Sequence, residues 1–158
     1  MAKLIFHKKE ETQKEIINQI QNLVDSDKPR DLVLKETARL LKEHFPKYNW
    51  VGFYLMDGEE LALGPFVGKP SPHTRIKLDS GICGAAVRKE QTIIVPDVNT
   101  DSRYLACSLE TKSEIVVPIR KGEKIVGEID IDSDELDAFD EQDKGFLETV
   151  SQILSDRF

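Results

Sequence analysis

The chain has 158 residues, enough for one domain with its own hydrophobic core. Asp and Glu number 29 and Lys and Arg 22, a net charge of −7 that excludes a general nucleic-acid binder, which needs a basic surface. The sequence contains no apolar run near the ~20 residues of a membrane-spanning helix, and its N-terminus lacks the apolar core of a secretory signal. We therefore expect a cytoplasmic protein with no membrane or nucleic-acid partner.

Helical patterns occupy both ends of the chain. Apolar residues recur at helical spacing between residues 10 and 25, and this predicts an amphipathic helix. A second helix follows Pro29 and ends at Pro46. The last helix begins at Asp140, which has the side chain of an N-cap. Its predicted buried face consists of Phe146, Leu147, Val150, Ile153 and Leu154.

The middle of the chain has strand patterns. Aromatic and β-branched residues dominate the segments, and Asp57-Gly58 predicts a hairpin turn between the first two. The predicted strands are 49–56, 60–66, 74–78, 92–96, 113–120 and 124–132, with a short helix at 82–89. Hairpins make the sheet antiparallel, so we expect helices over one face. The connection 97–112 is long enough to suggest a functional loop.

The last hairpin has two sets of apolar residues with the same parity. Both sets must face the core, because a slip by one residue would bury charges instead. This predicts a three-residue loop at 121–123, with Ile115 opposite Ile129 and Glu114 opposite Asp130.

Carboxylates share the other face of that hairpin. Glu128 and Asp132 have the same parity as Asp130, and like charges placed opposite each other destabilise a sheet. One interpretation is a solvated face, where water screens the repulsion. The other is the acidic floor of a pocket for a cationic group such as a substrate ammonium. A metal site is the less favoured option, because these residues lie in a rigid strand rather than in a loop rich in ligands.

The sequence contains two cysteines, too few for a disulfide scaffold or a four-cysteine metal site. Cys83 lies near a predicted helix start, which would lower the pKa of its thiol, and Cys107 lies in the long loop. Both residues could be inert packing. They also fit a nucleophile with a resolving partner, although the chain has no CxxC motif.

Two aromatic residues share one face of the first strand. Trp50 and Tyr54 alternate with Val51 and Phe53, which predicts either a core on both sides or an aromatic wall of a pocket on the carboxylate face. His73 lies in a turn-rich loop, where it could be a ligand, a proton donor or a solvated side chain.

Several segments, taken in order, are similar to one known family. They are NWVGFY (49–54), LGPFVGK (63–69), GICG (81–84), AC (106–107), SEIVVP (113–118) and DIDS (130–133). Together they resemble the free methionine-(R)-sulfoxide reductases, a single-domain branch of the GAF superfamily. The resemblance covers almost the whole chain, and NWVGFYL followed by LGPF is its most specific part.

The resemblance implies an α+β fold, a single GAF domain over residues 1–158. An N-terminal helical segment (1–47) would precede a GAF core (48–158). The core would contain a six-stranded antiparallel sheet, with the N- and C-terminal helices on one face and a ligand pocket on the other. A homodimer is left open.

The resemblance also implies a reaction, the reduction of free L-methionine-(R)-S-oxide to methionine. Cys107 matches the family's catalytic cysteine, which attacks the sulfoxide and becomes a sulfenic acid. Cys83 matches a resolving cysteine, which forms a disulfide that thioredoxin reduces. Thioredoxin would be an external reductant, with no bound cofactor and no metal.

Five further residues match the family's substrate pocket. They are the carboxylates Glu114, Asp130 and Asp132 and the aromatic residues Trp50 and Tyr54, which would lie near the methyl sulfoxide end of the substrate.

One departure from the family concerns the loop after LGPFVG. Many members carry a third cysteine there, whereas this chain has Lys-Pro-Ser-Pro-His-Thr at 69–74. A cycle based on two cysteines would then be required. The alternative is a non-catalytic GAF module that senses a small molecule and acts through a partner protein, since the His73-Thr74-Arg75 context is typical of sensory GAF domains.

Overall fold

A computed structural model describes residues 2–106 and 108–158. Its helices are α1 (Ala2–Val24), α2 (Arg30–His44), α3 (Gly81–Lys89) and α4 (Glu141–Leu154). Its strands are β1 (Trp50–Asp57), β2 (Glu60–Val67), β3 (Arg75–Lys77), β4 (Ile93–Val95), β5 (Ser113–Lys121) and β6 (Lys124–Ser133). Short 3₁₀ turns occupy Val98–Thr100 and Ser155–Arg157.

The strands form one antiparallel sheet of six in the order β3-β2-β1-β6-β5-β4, which confirms the predicted α+β class and sheet. Helix α1 begins eight residues before the predicted start, at Ala2 instead of residue 10. Leu4, Ile5 and Phe6 in these added turns are exposed. The turns have no buried face, so the sequence shows no helical spacing of apolar residues there.

The first core lies between the sheet and the terminal helices. Helices α1, α2 and α4 pack on alternate residues of β1, β5 and β6, such as Phe53, Ile115 and Ile131. Asp140 caps α4 as predicted, and a reciprocal capping box with Asp143 completes that helix start. The predicted placement of the N- and C-terminal helices on one face is confirmed.

A second, smaller core lies on the opposite face. Helix α3 packs there with β4 and with Tyr54, Leu61, Ile76 and Val116 from the sheet. The sheet is therefore buried on both faces over its central strands. This arrangement places α3, with Cys83, above the side of the sheet that carries the carboxylates.

The predicted register of the last hairpin is wrong by two residues. Ile115 pairs with Ile131 instead of Ile129, so Glu114 faces Asp132 instead of Asp130. One residue of the shift comes from a tighter turn, in which Lys121 pairs with Lys124. The other comes from a β-bulge at Ile119/Arg120, where β6 has one residue more than β5. From Ser113 to Ile119 the shift is even, so the side chains there and their partners on β6 keep their predicted faces. Beyond the bulge the prediction is wrong, because Ile125 pairs with Arg120 and Val126 packs against the core in its place.

Within residues 2–106 and 108–158, no helix is both long enough and apolar enough to cross a membrane. The cytoplasmic location stays a prediction, as does the division into a helical segment (1–47) and a core (48–158).

Candidate active site

The pocket face of the sheet carries four carboxylates on β5 and β6. Glu114 and Asp132 are cross-strand partners, and Asp130 and Glu128 follow at two-residue intervals on the same face of β6. Their exposed fractions are 4% for Glu114, 0% for Glu128, 2% for Asp130 and 4% for Asp132. The solvated-face interpretation is therefore wrong, because water screens none of these side chains effectively.

Several oxygens of this cluster have no hydrogen-bond partner among the described residues. They are both carboxylate oxygens of Glu128 and the Oδ1 atoms of Asp130 and Asp132. A buried carboxylate without a partner is costly in its charged form, and the cost falls when the group takes up a proton or a cation. The cluster is therefore suited to hold either.

The pKa values of three of these four carboxylates are raised. Burial raises the pKa of Glu128 well above its usual range, and the charge of Asp130 adds to the shift, while the neighbouring Cys83 thiol opposes it. Burial and then the charge of Asp130 also raise the pKa of Asp132 well above its usual range. Burial raises the pKa of Asp130, although its interactions with Glu114 and Cys83 oppose the rise. Asp130 interacts with both Glu128 and Asp132, so these three groups titrate together and no single one is assigned as the acid.

Cys83 lies on the first turn of α3 and points toward these carboxylates. Its Sγ, one oxygen of Glu114 and one oxygen of Asp130 all lie within 4.8 Å of one another. Burial, followed by the charges of Asp130, Glu128 and Glu114, raises the pKa of the Cys83 thiol well above its usual range. The expectation that the helix start lowers this pKa is wrong, because desolvation and the nearby negative charges outweigh the helix dipole.

Gly84 explains how α3 comes so close to the sheet. A Cβ at this position would lie 2.7 Å from the carbonyl oxygen of Leu78, so only glycine permits the observed approach of the helix to the segment before it. This contact holds the start of α3, which carries Cys83, close to the end of β3.

Trp50 forms one wall of the pocket. It pairs across the strands with Asp132, its ring stacks on Phe66 at 5.5 Å, and its Nε1 donates a hydrogen bond of 2.9 Å to the carbonyl oxygen of Lys69. Gly52 leaves the space for the ring, since a Cβ there would lie 2.3 Å from the indole. The structure thus holds Trp50 by contacts on two sides.

Tyr54 lies two positions further along β1, opposite Glu128. It is buried, and its hydroxyl donates a hydrogen bond of 2.8 Å to the carbonyl oxygen of His73. The ring of His73 in turn lies 3.0 Å from the carbonyl oxygen of Ala106 through Nε2. These bonds connect β1 to the loop 68–74 and to the long loop after β4.

Two small cavities divide the predicted site residues. One of about 70 Å³ is lined by Trp50 and Asp132, together with Asn49, Lys69, Pro70, Ser71, Ser108, Glu110, Thr111 and Asp134. One of about 10 Å³ is lined by Tyr54, Cys83, Glu114 and Asp130, together with His73, Ile76, Gly81, Ile82 and Leu105. Six of the seven predicted site residues therefore line the two cavities on one side of the sheet.

Cys107, the seventh, lies outside the described residues. Residues on both sides of it reach the pocket, since Leu105 lines the smaller cavity and Ser108 the larger one. The predicted pairing of Cys107 with Cys83 stays a prediction.

Glu128 is the buried group that the set of predicted site residues omitted. Its parity with Asp130 and Asp132 placed it on the same face, but the sequence alone did not reveal that this part of the face is covered by α3. The lining residues Lys69 and Ser108 were also missed, because the course of a loop depends on tertiary contacts that leave no periodic pattern.

The substitution Glu128→Gln is expected to stabilise the fold at neutral pH. The pKa of Glu128 is higher in the folded chain than in the unfolded one, because its ionised form is buried. Ionisation of Glu128 therefore destabilises the fold. This loss of stability is absent below the unfolded pKa and grows as the pH rises toward the folded pKa. Glutamine carries no charge and removes this loss. A gain of about 1 kcal/mol would raise the Tm by roughly 2–4 °C in a chain of this size.

Thermal unfolding of both proteins, followed from about pH 4, near the ordinary pKa of a glutamate, to about pH 8, measures this effect. The difference in Tm should shrink toward the acidic end. Glu123→Gln, at the exposed turn of the same hairpin, should leave the Tm unchanged. A constant difference between Glu128→Gln and the native chain over the whole pH range would contradict the assigned titration.

Comparison with known proteins identifies the fold family. The GAF domain family model matches residues 29–157. The chain belongs to the GAF domain family. It is 43% identical to GAF domain-containing protein A of Dictyostelium discoideum, over 92% of this chain and 92% of that protein. It is 39% identical to the free methionine-R-sulfoxide reductase of Escherichia coli, over 76% of this chain and 73% of that protein.

The fold is also similar to that of a solved structure. The free methionine-R-sulfoxide reductase of Neisseria meningitidis, solved in complex with its substrate, superposes with a TM-score of 0.88 at 40% identity, covering 92% of this chain and 87% of that one. The resemblance to the GAF-domain free methionine-(R)-sulfoxide reductases that the sequence predicted is therefore confirmed.

Proposed function

We propose that this chain reduces free L-methionine-(R)-S-oxide to methionine. The observation that carries the proposal is the buried group of Glu114, Asp130 and Asp132 beside Cys83, in a chain similar to proteins named for this activity. Cys107 is the nucleophile, Cys83 the resolving cysteine, and thioredoxin the external reductant.

The carboxylates bind the substrate through its ammonium group. The ammonium group brings positive charge to a buried cluster of negative carboxylates. It also donates hydrogen bonds to carboxylate oxygens that lack a hydrogen-bond partner among the described residues. A methionine sulfoxide residue within a peptide has a neutral amide nitrogen and brings no such charge. The site therefore favours the free amino acid, with Trp50 and Tyr54 against its methyl sulfoxide end.

The reaction proceeds in three balanced steps. The Cys107 sulfur attacks the sulfoxide sulfur, and the S–O bond of the substrate breaks as the oxygen passes to the cysteine. Methionine is released, and Cys107 becomes a sulfenic acid. The Cys83 thiol then attacks the sulfenic sulfur and releases water, which forms a disulfide. A thioredoxin dithiol reduces that disulfide and is itself oxidised.

A protonated carboxylic acid of the cluster assists the first step. A sulfoxide oxygen accepts electrons poorly unless a proton neutralises its developing charge. Burial raises the pKa of Glu128, Asp130 and Asp132, which favours the protonated form of these groups. The groups that remain ionised bind the ammonium.

An assay with thioredoxin, its reductase and NADPH tests the proposal. Free methionine-(R)-sulfoxide should cause NADPH oxidation, with one methionine formed for each NADPH consumed. The (S) epimer is the matched control and should cause none. If the (R) epimer causes no oxidation with this reductant or with dithiothreitol, the reductase function is wrong.

The second candidate is a GAF module that senses a small molecule through a partner protein. One observation favours it: the Cys83 thiol is buried and its pKa is raised, which opposes the formation of a reactive thiolate. This function predicts that methionine or its sulfoxide binds, as measured by calorimetry, without any turnover. A homodimer stays a prediction in either case.

A further inference from the structure

The small cavity under α3 brings together donor atoms from three separate elements. Cys83 comes from the helix, Glu114 from β5 and Asp130 from β6, and one ligand atom of each lies within 4.8 Å of the others. All three side chains are buried. Because they sit on a helix seated by Gly84 and on two paired strands, the fold holds them in place without any ligand.

A second observation indicates that this group can accept a cation. Both carboxylate oxygens of Glu128, a fully buried residue, and Oδ1 of Asp130 have no hydrogen-bond partner among the described residues. Asp130 lines the cavity together with Cys83 and Glu114, so its unpartnered oxygen belongs to the same cluster. No Lys or Arg is among the residues described as lining this cavity.

The chemistry of the donors selects the class of cation. A thiolate with two carboxylates suits a borderline ion such as Zn²⁺, whereas Mg²⁺ and Ca²⁺ require more oxygen ligands and do not favour sulfur. Ligands of a tetrahedral Zn²⁺ lie about 3.5 Å apart at bond lengths of ~2.0–2.3 Å. Donors that already lie within 4.8 Å of one another need only a small side-chain movement. His73 lines the cavity too, but its Nε2 is engaged with Ala106.

We propose that Cys83, Glu114 and Asp130 form an inhibitory binding site for Zn²⁺ or a similar thiophilic divalent cation. Glu128, two residues before Asp130 on the same face of β6, supplies further negative charge. From the sequence a metal was the less favoured option because the carboxylates lie in a rigid strand; in the structure, α3 adds a thiol to two of them. Bound Zn²⁺ occupies the carboxylates that bind the substrate ammonium and holds the sulfur that would form the disulfide. Inhibition rests on the proposed function, whereas metal binding does not.

Binding of Zn²⁺ and Cd²⁺ to the reduced protein tests the site without any turnover. Cys107→Ser leaves Cys83 as the one remaining thiol, because the chain has two cysteines. Cd²⁺ should give one equivalent of thiolate-to-metal charge-transfer absorption in this variant. Adding Cys83→Ser should abolish the absorption and weaken Zn²⁺ binding in calorimetry by more than the roughly 10–100-fold that loss of an outer-shell partner causes.

Two carboxylate variants test the other ligands. Asp130→Asn and Glu114→Gln should each weaken Zn²⁺ binding at least about tenfold, a loss in the range seen for metal-site partners, while circular dichroism confirms that both fold. The exposed Glu123→Gln is the matched control and should bind Zn²⁺ as the native chain does, and excess Mg²⁺ should not displace the metal. Unchanged binding in both carboxylate variants, or no Cd²⁺ absorption in Cys107→Ser, would show that the site is wrong.

The activity assay separates this proposal from the proposed function. In an active enzyme, micromolar Zn²⁺ should inhibit and a chelator should restore the rate. An inactive protein that binds Zn²⁺ through Cys83 would overturn the reductase function and support the metal site. An active protein that Zn²⁺ neither binds nor inhibits would overturn the metal site alone.

Discussion

The variant Cys107→Ser is expected to reduce no methionine sulfoxide above the background rate. A serine hydroxyl is far less nucleophilic than a thiolate toward sulfur, and it cannot pass through a sulfenic acid and a disulfide. The loss should be complete in single-turnover experiments as well as at steady state, because the first chemical step itself is removed. Quantifying free methionine by chromatography measures both.

The variant Cys83→Ser should behave differently. It keeps the nucleophile and loses the thiol that attacks the sulfenic acid, so each chain should produce about one methionine and then stop. Dimedone should label Cys107 after this turnover, and mass spectrometry should locate the adduct. The raised pKa of the Cys83 thiol predicts that, in the native enzyme, this second step accelerates as the pH rises.

An exposed serine on the same loop supplies the control for both thiol variants. Ser102→Ala, five residues before Cys107, removes no thiol and should retain the native kcat within a few-fold, the scale of an ordinary uncharged contact. Equal activity of the native chain and Cys107→Ser would overturn the reductase function. Sustained thioredoxin-dependent turnover by Cys83→Ser would leave Cys107 as the nucleophile and overturn the assigned resolving role.

The predicted strands match the structure because their patterns are strong. The predicted bounds differ from the observed strand bounds by no more than one residue for the segments 49–56, 60–66, 113–120 and 124–132. Alternation of apolar and polar residues also placed the side chains of the last hairpin on their observed faces, except at Ile125, which lies beyond the bulge. The pattern could not reveal the bulge at Ile119/Arg120, because a bulge changes the partner of a residue without changing the residue's own hydrophobicity.

The burial of the carboxylates could not be derived from the hairpin alone. Glu114 and Asp132 alternate with apolar residues, which is also the pattern of a solvated sheet face. Their exposure depends on α3 and the loops that cover them, and those contacts are between segments far apart in the chain. The pKa of Cys83 was mispredicted for the same reason, since a helix start was visible in the sequence and its burial beside three carboxylates was not.

The substitutions Glu114→Gln, Asp130→Asn and Asp132→Asn should each lower the kcat/KM for the free amino acid. Each replacement keeps the shape of the side chain and removes one charge from a site that excludes water. A hydrogen bond to a charged group contributes about 1.5–3 kcal/mol, which corresponds to a loss of roughly 10–150-fold. An exposed ion pair would contribute only about 0–1 kcal/mol.

The same variants should not lose stability. Neutralising one member of a buried group of like charges relieves repulsion, so the Tm should stay the same or rise. Activity and stability should therefore change in opposite directions, which separates a binding role from a structural one. Glu123→Gln, on the exposed turn between β5 and β6, should change neither. Native kcat/KM in all three buried variants would exclude these carboxylates from substrate binding.

The native chain provides a further test through its substrate. N-acetyl-methionine sulfoxide keeps the sulfoxide and the carboxylate but replaces the ammonium with a neutral amide. The native chain should reduce it with a kcat/KM lower by a factor similar to the loss in the carboxylate variants. Those variants should discriminate less between the two compounds, since each has lost part of the negative charge that binds the ammonium. If the native chain reduces the acetylated compound as efficiently as the free amino acid, the buried carboxylates do not bind the ammonium, even though the protein is a reductase.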